Sequence, residues 1–389
     1  MALEELDLQR EIVKMKVFGV GGGGNSVLLR MAEKDMGDIE LVAVNTDEKQ
    51  LARTKQAGIT PLLIGQALTR GRGSGGNIEI GEAAARADER KIREMLLDTN
   101  LVFLTAGMGG GVGTGATPVV AEIAKNMGIL VIGVVTVPFM FEGKRKHKIA
   151  MDGIEKMQSN MDALLVVHNE NLMKIADKKL SLLNAFESAD DVLRQAIRSI
   201  AELILTTGVV NVDFADVETI FTQSESSEAL LGIGRSNKSA VDAVKSAVTS
   251  PLIDKTLTGA RGLILNITAS NALTLYDVNA ATEFIYKNAD ESVNIIFGIV
   301  IDKDMGSTIQ ATIIATDFAD SNADKGKAGS ANAFKKSPAV SPTSAPLAAS
   351  AQSSQSSTID LPKFMQNRTA KDQPGSKPYA VPAFKLTEN

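Results

Sequence analysis

The chain of 389 residues is long enough for two domains with full hydrophobic cores, and 44% of its residues are hydrophobic. It contains no cysteine, which excludes disulfides, thiolate nucleophiles and cysteine metal sites, and its only imidazoles are His147 and His168. The formal net charge is −5, while residues 319–389 hold nine Lys or Arg against five Asp or Glu. The acidic excess therefore lies on residues 1–318, which argues against nucleic-acid binding.

The N-terminal segment MALEELDLQREIVK is charged and has no apolar signal core. The longest apolar run, MGILVIGVVTVPFMF, is interrupted by Pro138 and is shorter than the roughly 20 residues that a membrane span needs. The sequence therefore predicts a cytoplasmic protein without membrane insertion.

After a flexible N-terminus at residues 1–13, short apolar runs rich in Val, Ile and Leu predict strands buried on both faces of a parallel sheet. The runs are MKVFGV, IELVAVNTD, NLVFLTAG, GILVIGVVTV and MDALLVVHN. Helical stretches separate them, among them residues 76–97 and 118–127. This alternation predicts a doubly wound, Rossmann-like α/β domain over residues 14–180.

Apolar residues at helical spacing predict a long central helix over residues 181–205. Beyond it, residues 206–318 contain the strand patterns GLILNIT, VNIIFGIVI and IQATIIAT, with the helix pattern LYDVNAATEFIYKN between the first two. These elements predict a smaller α+β C-terminal domain.

Residues 319–358 are dominated by Ala, Ser, Lys and Pro, a composition that predicts a disordered linker. Apolar residues return in IDLPKFMQNR, residues 359–368, which opens a tail that extends to residue 389.

Three glycine-rich loops are candidates for binding phosphate: GVGGGGN (19–25), TRGRGSGGN (69–77) and TAGMGGGVGTGATP (105–118). Gly19, Gly21 and Gly24 fit G-x-G-x-x-G, with Asp47 beyond, which is typical of a dinucleotide site and also of a tight turn without ligand. Several such loops at one sheet edge would present many backbone N–H groups, which favours a nucleoside triphosphate. No G-K-[ST] follows them, so a P-loop is excluded.

These loops, together with VNTD and NVDFADV, resemble the motifs of the tubulin/FtsZ superfamily, and most closely those of bacterial FtsZ proteins. The resemblance covers residues 14–318 in order and resumes at 359–368. It implies a GTP-binding domain at residues 14–180 and a site for GTP or GDP with Mg²⁺, which bridges the phosphates. An NAD-dependent oxidoreductase that uses residues 14–60 is the remote alternative, and it leaves the other two glycine loops unexplained.

The resemblance also implies which residues bind the nucleotide. The first loop and the following strand end supply Gly21, Gly22, Gly23, Gly24, Asn25, Ser26 and Asn45. The signature loop around the phosphates supplies Gly109, Gly110, Gly111, Val112, Gly113, Thr114 and Gly115. Gly75 and Gly76 approach the γ-phosphate. Position 112 is Val where the family usually has Thr, so we expect one hydroxyl contact to be lost and turnover to be weaker or slower.

At the other end of the nucleotide, the resemblance implies that Phe186 stacks on guanine and that Asp190 accepts hydrogen bonds from its N1–H and exocyclic amine. The helix pattern alone favours a core phenylalanine and a solvated aspartate. Glu142 is implied to reach the ribose. Lys146 falls where the family commonly has an Arg that contacts the nucleotide, although KRKHK by itself is typical of a solvated basic face.

Asp213 and Asp216 have two interpretations. Locally, Asp213 is a good N-cap and Asp216 stands at the capping-box position. The resemblance implies instead that Asn211, Asp213 and Asp216 position or polarise the attacking water in the nucleotide site of a neighbouring subunit. Such a head-to-tail contact generates filaments, makes GTP hydrolysis depend on assembly and suits a homopolymer at the midcell division septum. A GTP-binding filament protein that does not hydrolyse GTP is the second alternative.

The tail places Leu361, Phe364 and Met365 on one face of a short helix that would order only on a partner. The resemblance implies docking to a membrane tether such as an FtsA-like protein, beside recruitment of other division proteins. An incidental apolar cluster is the alternative.

Overall fold

The computed structural model describes residues 13–33, 39–175, 181–205, 212–223, 226–252, 260–270, 273–289 and 293–318. The predicted linker and tail, with Leu361, Phe364 and Met365, lie outside the described residues, as does Asn211. No helix among the described residues is long and apolar enough to cross a bilayer.

The described strands number ten and form one sheet. In chain order they are β1 (Met15–Val20), β2 (Glu40–Asn45), β3 (Thr60–Leu63), β4 (Leu101–Gly107), β5 (Leu130–Val137), β6 (Ala163–His168), β7 (Glu228–Ser236), β8 (Ala260–Ala269), β9 (Asn294–Ile301) and β10 (Ile309–Phe318). Their order across the sheet is β3-β2-β1-β4-β5-β6-β7-β10-β8-β9. The predicted mixed α/β fold is confirmed.

The described helices surround this sheet. In chain order they are α1 (Gly21–Ala32), α2 (Glu48–Gln56), α3 (Gln66–Thr69), α4 (Ile78–Ala87), α5 (Glu89–Leu96), α6 (Gly111–Asn126), α7 (Lys144–Gln158), α8 (Asn169–Ile175), α9 (Leu182–Leu205), α10 (Phe214–Thr222), α11 (Ala240–Val248) and α12 (Leu275–Asn288). The 3-10 turns Met140–Glu142 and Lys303–Met305 complete the set.

Strands β1 to β6 pair in parallel, as near-continuous apolar runs predict. One face of this sheet packs on α1 and α9, through side chains such as Phe103 and Ile197, and the other packs on α4 to α7, through side chains such as Phe18 and Ile92. All five of these strands that the apolar runs predicted are confirmed, and β3 is added at the edge.

The predicted smaller unit continues the same sheet. Strand β7 joins β6 in parallel through only two residue pairs, Leu164 with Glu228 and Leu165 with Ala229. Strand β10 runs antiparallel to β7 and β8, and β9 closes the edge in parallel with β8. Helices α11 and α12 cover one face of these strands. Where the chain divides into domains stays a prediction.

Two predicted helical stretches have different bounds in the structure. Residues 76–97 form two helices because the chain turns at Asp88, whose carboxylate accepts a hydrogen bond from the Gly65 N–H at 2.6 Å. The helix predicted at 118–127 starts seven residues earlier, at Gly111, since the end of the glycine-rich loop is itself helical.

Candidate functional site

A cleft of about 350 Å³ opens at the carboxyl ends of β1, β2, β4, β5 and β6. The loops that follow parallel strands converge at one edge of the sheet, which is where open α/β folds place their ligands. The predicted site residues that line the cleft are Gly22, Gly23, Asn45, Gly75, Gly76, Gly110, Gly111, Val112, Gly113, Glu142, Lys146, Phe186 and Asp190. The structure therefore brings together residues that are as many as 168 positions apart.

The first glycine loop turns directly from β1 into α1. Gly21 adopts φ +72°, which favours glycine, and the helix begins without a side-chain cap. Gly22 and Gly23 face the cleft, whereas Gly24 packs inward, where an added Cβ would lie 2.3 Å from the Thr105 carbonyl oxygen. Ser26 donates its hydroxyl to the Gly22 carbonyl at 3.1 Å and lies outside the cleft lining.

Two buried asparagines hold this loop to the end of β2. The Asn45 side-chain amide donates to the side-chain Oδ1 of Asn25 at 2.8 Å and to the side-chain Oε1 of Gln50 at 3.0 Å. The Asn45 Oδ1 accepts from the backbone N–H of Thr46 at 2.8 Å. Of the two asparagines only Asn45 lines the cleft, so the role of Asn25 is to position the Asn45 side chain.

The third glycine loop, in chain order, leads into α6 with Gly110 as an N-cap that offers no side chain. Gly110, Gly111 and Gly113 line the cleft, so this helix, like α1, presents uncapped N–H groups to it. The Thr114 hydroxyl is used within the loop, where it accepts from the Gly109 N–H at 2.8 Å. Two uncapped helix N-termini at one cleft suit an anion of several phosphates.

Gly115 lies on the far side of α6 and has a packing role. A Cβ there would lie 2.1 Å from the Ile78 carbonyl oxygen of α4, so only glycine permits this helix contact. Gly75 and Gly76, by contrast, line the cleft with φ of +64° and +78° and open space where a Cβ would stand.

The opposite end of the cleft is aromatic and acidic. Phe186 on α9 meets the rings of Phe139 and Phe141 edge to face, with ring centroids 5.5 Å and 6.3 Å apart. Its exposed fraction is 37%, so the local interpretation of Phe186 as a core residue is wrong. One face of a planar base could stack there.

Asp190, one turn further along α9, is mostly enclosed, with a side-chain exposure of 19%, so its local interpretation as a solvated residue is also wrong. The Arg30 Nε donates to its carboxylate at 3.3 Å, and the Arg30 Nη2 lies 3.1 Å from Glu187. Burial raises the pKa of Asp190 to about 6, against the opposing hydrogen bond and charge of Arg30, and the negative charge of Glu187 adds to the rise.

Glu142 and Lys146 form an ion pair at the rim of the cleft. The other carboxylate oxygen of Glu142 accepts from the Phe139 N–H at 3.0 Å, which closes the short turn that carries Phe139 and Phe141. The positive charge of Lys146 is therefore fixed at the rim of the cleft by Glu142, whose carboxylate is itself held by the Phe139 N–H.

The sequence analysis missed several residues that line the cleft, among them Asn169, Gln50 and Ser74. Asn169 directly follows β6 and is 5% exposed, and its side-chain oxygen has no hydrogen-bond partner. Its position after a predicted parallel strand is the signal that could have identified it.

Asp213 and Asp216 are absent from the cleft lining. Asp213 caps α10 by accepting from the Ala215 N–H at 3.3 Å, and both carboxylates are exposed. Helix α10 packs under β8, β9 and β10 through Val217, Ile220 and Phe221. The local N-cap interpretation of Asp213 is therefore confirmed. The carboxylates of Asp213 and Asp216 both remain accessible to solvent.

Comparisons with known proteins agree with this arrangement. Residues 14–177 match the GTPase domain of the Tubulin/FtsZ family, and residues 227–319 match the C-terminal domain of the FtsZ family. An empty FtsZ dimer from M. jannaschii is 38% identical, with a TM-score of 0.76, over 81% of this chain and 92% of that chain. A mutant FtsZ from the same organism is 39% identical, with a TM-score of 0.75, over 80% and 93% of the two chains.

The fold extends to more distant proteins. CetZ2 from Haloferax volcanii, solved as a GTPγS-bound protofilament, is 20% identical with a TM-score of 0.67, over 81% of this chain and 96% of that chain. At this identity the likeness concerns the fold alone. The two domain matches and the identity to FtsZ over most of both chains show that this chain belongs to the FtsZ family of tubulin-like GTPases.

Proposed function

We propose that this protein is a GTPase that polymerises head-to-tail and hydrolyses GTP at the contact between subunits. The observation that carries the proposal is the separation of the cleft from Asp213 and Asp216. The three carboxylates that line the cleft are all engaged within the subunit: Asp47 caps α2, Glu142 holds Lys146, and Asp190 holds Arg30. The water that attacks the γ-phosphate therefore needs a base from elsewhere.

The length of α9 supports a second subunit as the source of that base. Fifteen residues separate Asp190, at the cleft, from Leu205 at the end of the helix, a rise of roughly 22 Å. Asp213 follows eight residues later on a helix anchored under the sheet. The two exposed acids of one subunit would enter the cleft of the next, and Asn211, which is not among the described residues, would act with them.

Exposed apolar side chains support self-association. Phe141 and Leu183, near the cleft, are 60% and 68% exposed, and Leu275 and Tyr276, at the start of α12, are 85% and 81% exposed. Large apolar side chains exposed in neighbouring positions are typical of interaction surfaces. A contact between two different surfaces of identical subunits does not close and so builds a filament.

Within one subunit, the glycine loops and helix N-termini would bind the phosphates, Phe186 would stack on guanine, and Asp190 would accept from its N1–H and amine. Glu142 would approach the ribose. No group of three metal-ligating side chains occurs among the described residues, so Mg²⁺ would be held mainly by the phosphates, where it would neutralise charge.

We infer that the filament belongs to the cytoplasmic ring at the midcell division septum and recruits other division proteins. Leu361, Phe364 and Met365 of the tail would dock on a membrane tether such as an FtsA-like protein. This part of the proposal rests on the sequence resemblance and is tested separately, by measuring whether a peptide of residues 359–368 binds such a tether and whether Phe364→Ala abolishes binding.

The central experiment measures GTP hydrolysis per subunit against protein concentration, with pelleting in parallel. The wild type should hydrolyse GTP only above a threshold concentration that coincides with pelleting. Asp213→Asn keeps an N-cap acceptor and removes the charge, so it should bind GTP normally and lose about 100-fold or more in turnover. Glu218→Ala, an exposed acid on the same helix, is the matched control.

A specific activity that is flat with concentration, or normal turnover in Asp213→Asn, would contradict the shared site. Assembly and GTP binding without hydrolysis in the wild type would instead favour the non-hydrolysing filament protein. Preference for NAD over GTP would favour the oxidoreductase.

A further inference from the structure

A second cavity, of about 220 Å³, lies between α4, α6 and α7, and no described residue lines both it and the nucleotide cleft. Buried residues of α6 form its floor, among them Thr114, Gly115 and Val119. Exposed side chains of α4 and α7 form its walls. The volume is below the roughly 300–1,000 Å³ of pockets that take drug-sized molecules, so the cavity suits a smaller ligand.

Three charged side chains in the lining form no ion pair or hydrogen bond with another described residue. They are Glu82 on α4 and Asp152 and Lys156 on α7. Asp152 and Lys156 are four residues apart with the acid first, a spacing at which Glu283 and Lys287 form an ion pair on α12. Both line the cavity instead of pairing with each other, so all three charges are available to a ligand.

The charges in the cavity define the chemistry of that ligand. Arg86, which also lines the cavity, is already held by Glu122 through two hydrogen bonds of 3.0 Å and 2.6 Å. This leaves two carboxylates and one ammonium group to be matched. Charge-assisted hydrogen bonds to all three need a small molecule with two cationic groups and one carboxylate. Free basic amino acids carry this set of charges, whereas a phosphate compound would meet two like charges.

Thr114 links the cavity to the loop that we assign to the phosphates. Its hydroxyl accepts from the Gly109 N–H at 2.8 Å within that loop. Its methyl carbon packs on α7, where a Cβ added to Gly153 would lie 2.2 Å away. On the other wall, Ile78 lines the cavity at the start of α4, directly after the glycine-rich loop at residues 69–77. A ligand that holds α4 and α7 together therefore restrains both loops.

We propose that this cavity is a regulatory site for a free basic amino acid. The two cationic groups of the ligand bind Glu82 and Asp152, its carboxylate binds Lys156, and its binding tightens the binding of GTP. The site itself is independent of the nucleotide cleft, and only its effect on GTP rests on the proposed function.

The test measures binding of three related molecules to the full chain by titration calorimetry at constant ionic strength. L-lysine carries all three charges, cadaverine lacks the carboxylate, and norleucine lacks the second cationic group. L-lysine should bind at least tenfold more tightly than either of the others, since each of them leaves a charged side chain unmatched.

Variants of the lining assign the contacts. Lys156→Gln should weaken the binding of L-lysine at least tenfold and leave the binding of cadaverine unchanged or tighter, whereas Asp152→Asn should weaken both. Without ligand the melting temperatures should be unchanged, since neither side chain has a protein partner to lose. Glu155→Gln, an exposed acid on the same helix outside the cavity lining, is the matched control.

The effect on the nucleotide is measured in the same protein. Saturating L-lysine should lower the dissociation constant for GTP about fivefold, and GTP should lower that for L-lysine by the same factor, because coupling between two sites is reciprocal. Binding of L-lysine that leaves GTP affinity unchanged would overturn the coupling and leave the site standing.

Absence of L-lysine binding up to about 10 mM, or equal affinity for cadaverine, would overturn the site. Binding that Lys156→Gln leaves unchanged would also overturn it. Failure of the wild type to bind GTP would overturn the proposed function, and the amino-acid site would stand or fall on its own titrations.

Discussion

The pH dependence of GTP binding tests the role of Asp190. Burial places the pKa of this carboxyl at about 6, and only the ionised form can accept from both guanine donors without offering a proton of its own. At pH 7.5 nearly all of the group is ionised, and at pH 5 roughly one tenth is. The advantage of the wild type over Asp190→Asn in GTP affinity should therefore shrink about tenfold between these pH values, or about 1.4 kcal/mol.

The assay is the dissociation constant for GTP of both proteins from pH 5 to pH 8 at constant ionic strength. The terminal phosphate of the nucleotide also titrates near pH 6, so the ratio of the two constants, and not either alone, isolates Asp190. Glu187→Gln removes a negative charge that raises the pKa of Asp190, so it should move the midpoint of the ratio to lower pH. A ratio that stays constant with pH would refute the assignment of Asp190 to the base.

Three further predictions concern the fold. Because folding raises the pKa of Asp190 from 3.8 to about 6, its contribution to stability is fully present below pH 4 and falls by about 3 kcal/mol as pH rises through 6. Urea unfolding should therefore show the wild type losing about 3 kcal/mol of stability relative to Asp190→Asn over this range, and a gain would contradict the reasoning. Gly115→Ala forces a Cβ onto the Ile78 carbonyl oxygen and should lower the free energy of unfolding by about 3 kcal/mol. Gly75→Ala meets open space and should lower it by only ~1 kcal/mol, the strain of its positive φ. Equal melting temperatures of the two variants would contradict this comparison. Phe221→Ala empties a fully buried site beneath α10 and should lower the unfolding free energy by about 3–5 kcal/mol, and a loss under 1 kcal/mol would show that the helix is not anchored there.

The strands that the sequence predicted mostly share one property. They contain near-continuous apolar runs with buried residues on both faces, as in LVFLTAG of β4. The two strands that it missed lack such runs: β3 has four residues, one of them Pro61, at the edge of the sheet, and β7 alternates buried and partly exposed residues around two glycines. The polar helix α2 buries only Leu51 and Thr54, too few for a periodic signal.

The glycine loops were predictable for a local reason. Two of the three, at residues 19–25 and 105–118, come at the end of a buried strand, and a chain that turns at once into a helix needs glycine, as Gly21 shows with its positive φ. The sequence by itself thus determined the parallel sheet and the edge at which the glycine-rich loops line the cleft.

Tertiary structure alone decided how individual side chains behave at that edge. Asp190 is an ordinary helical aspartate in the sequence, and its pKa is raised only because folding buries it, against the opposing hydrogen bond and charge of Arg30. Lys156 is one lysine among many until α4, α6 and α7 enclose a cavity beside it. Exposure, pKa and hydrogen-bond partners depend on neighbours that are distant in the chain, so no local pattern of residues carries them.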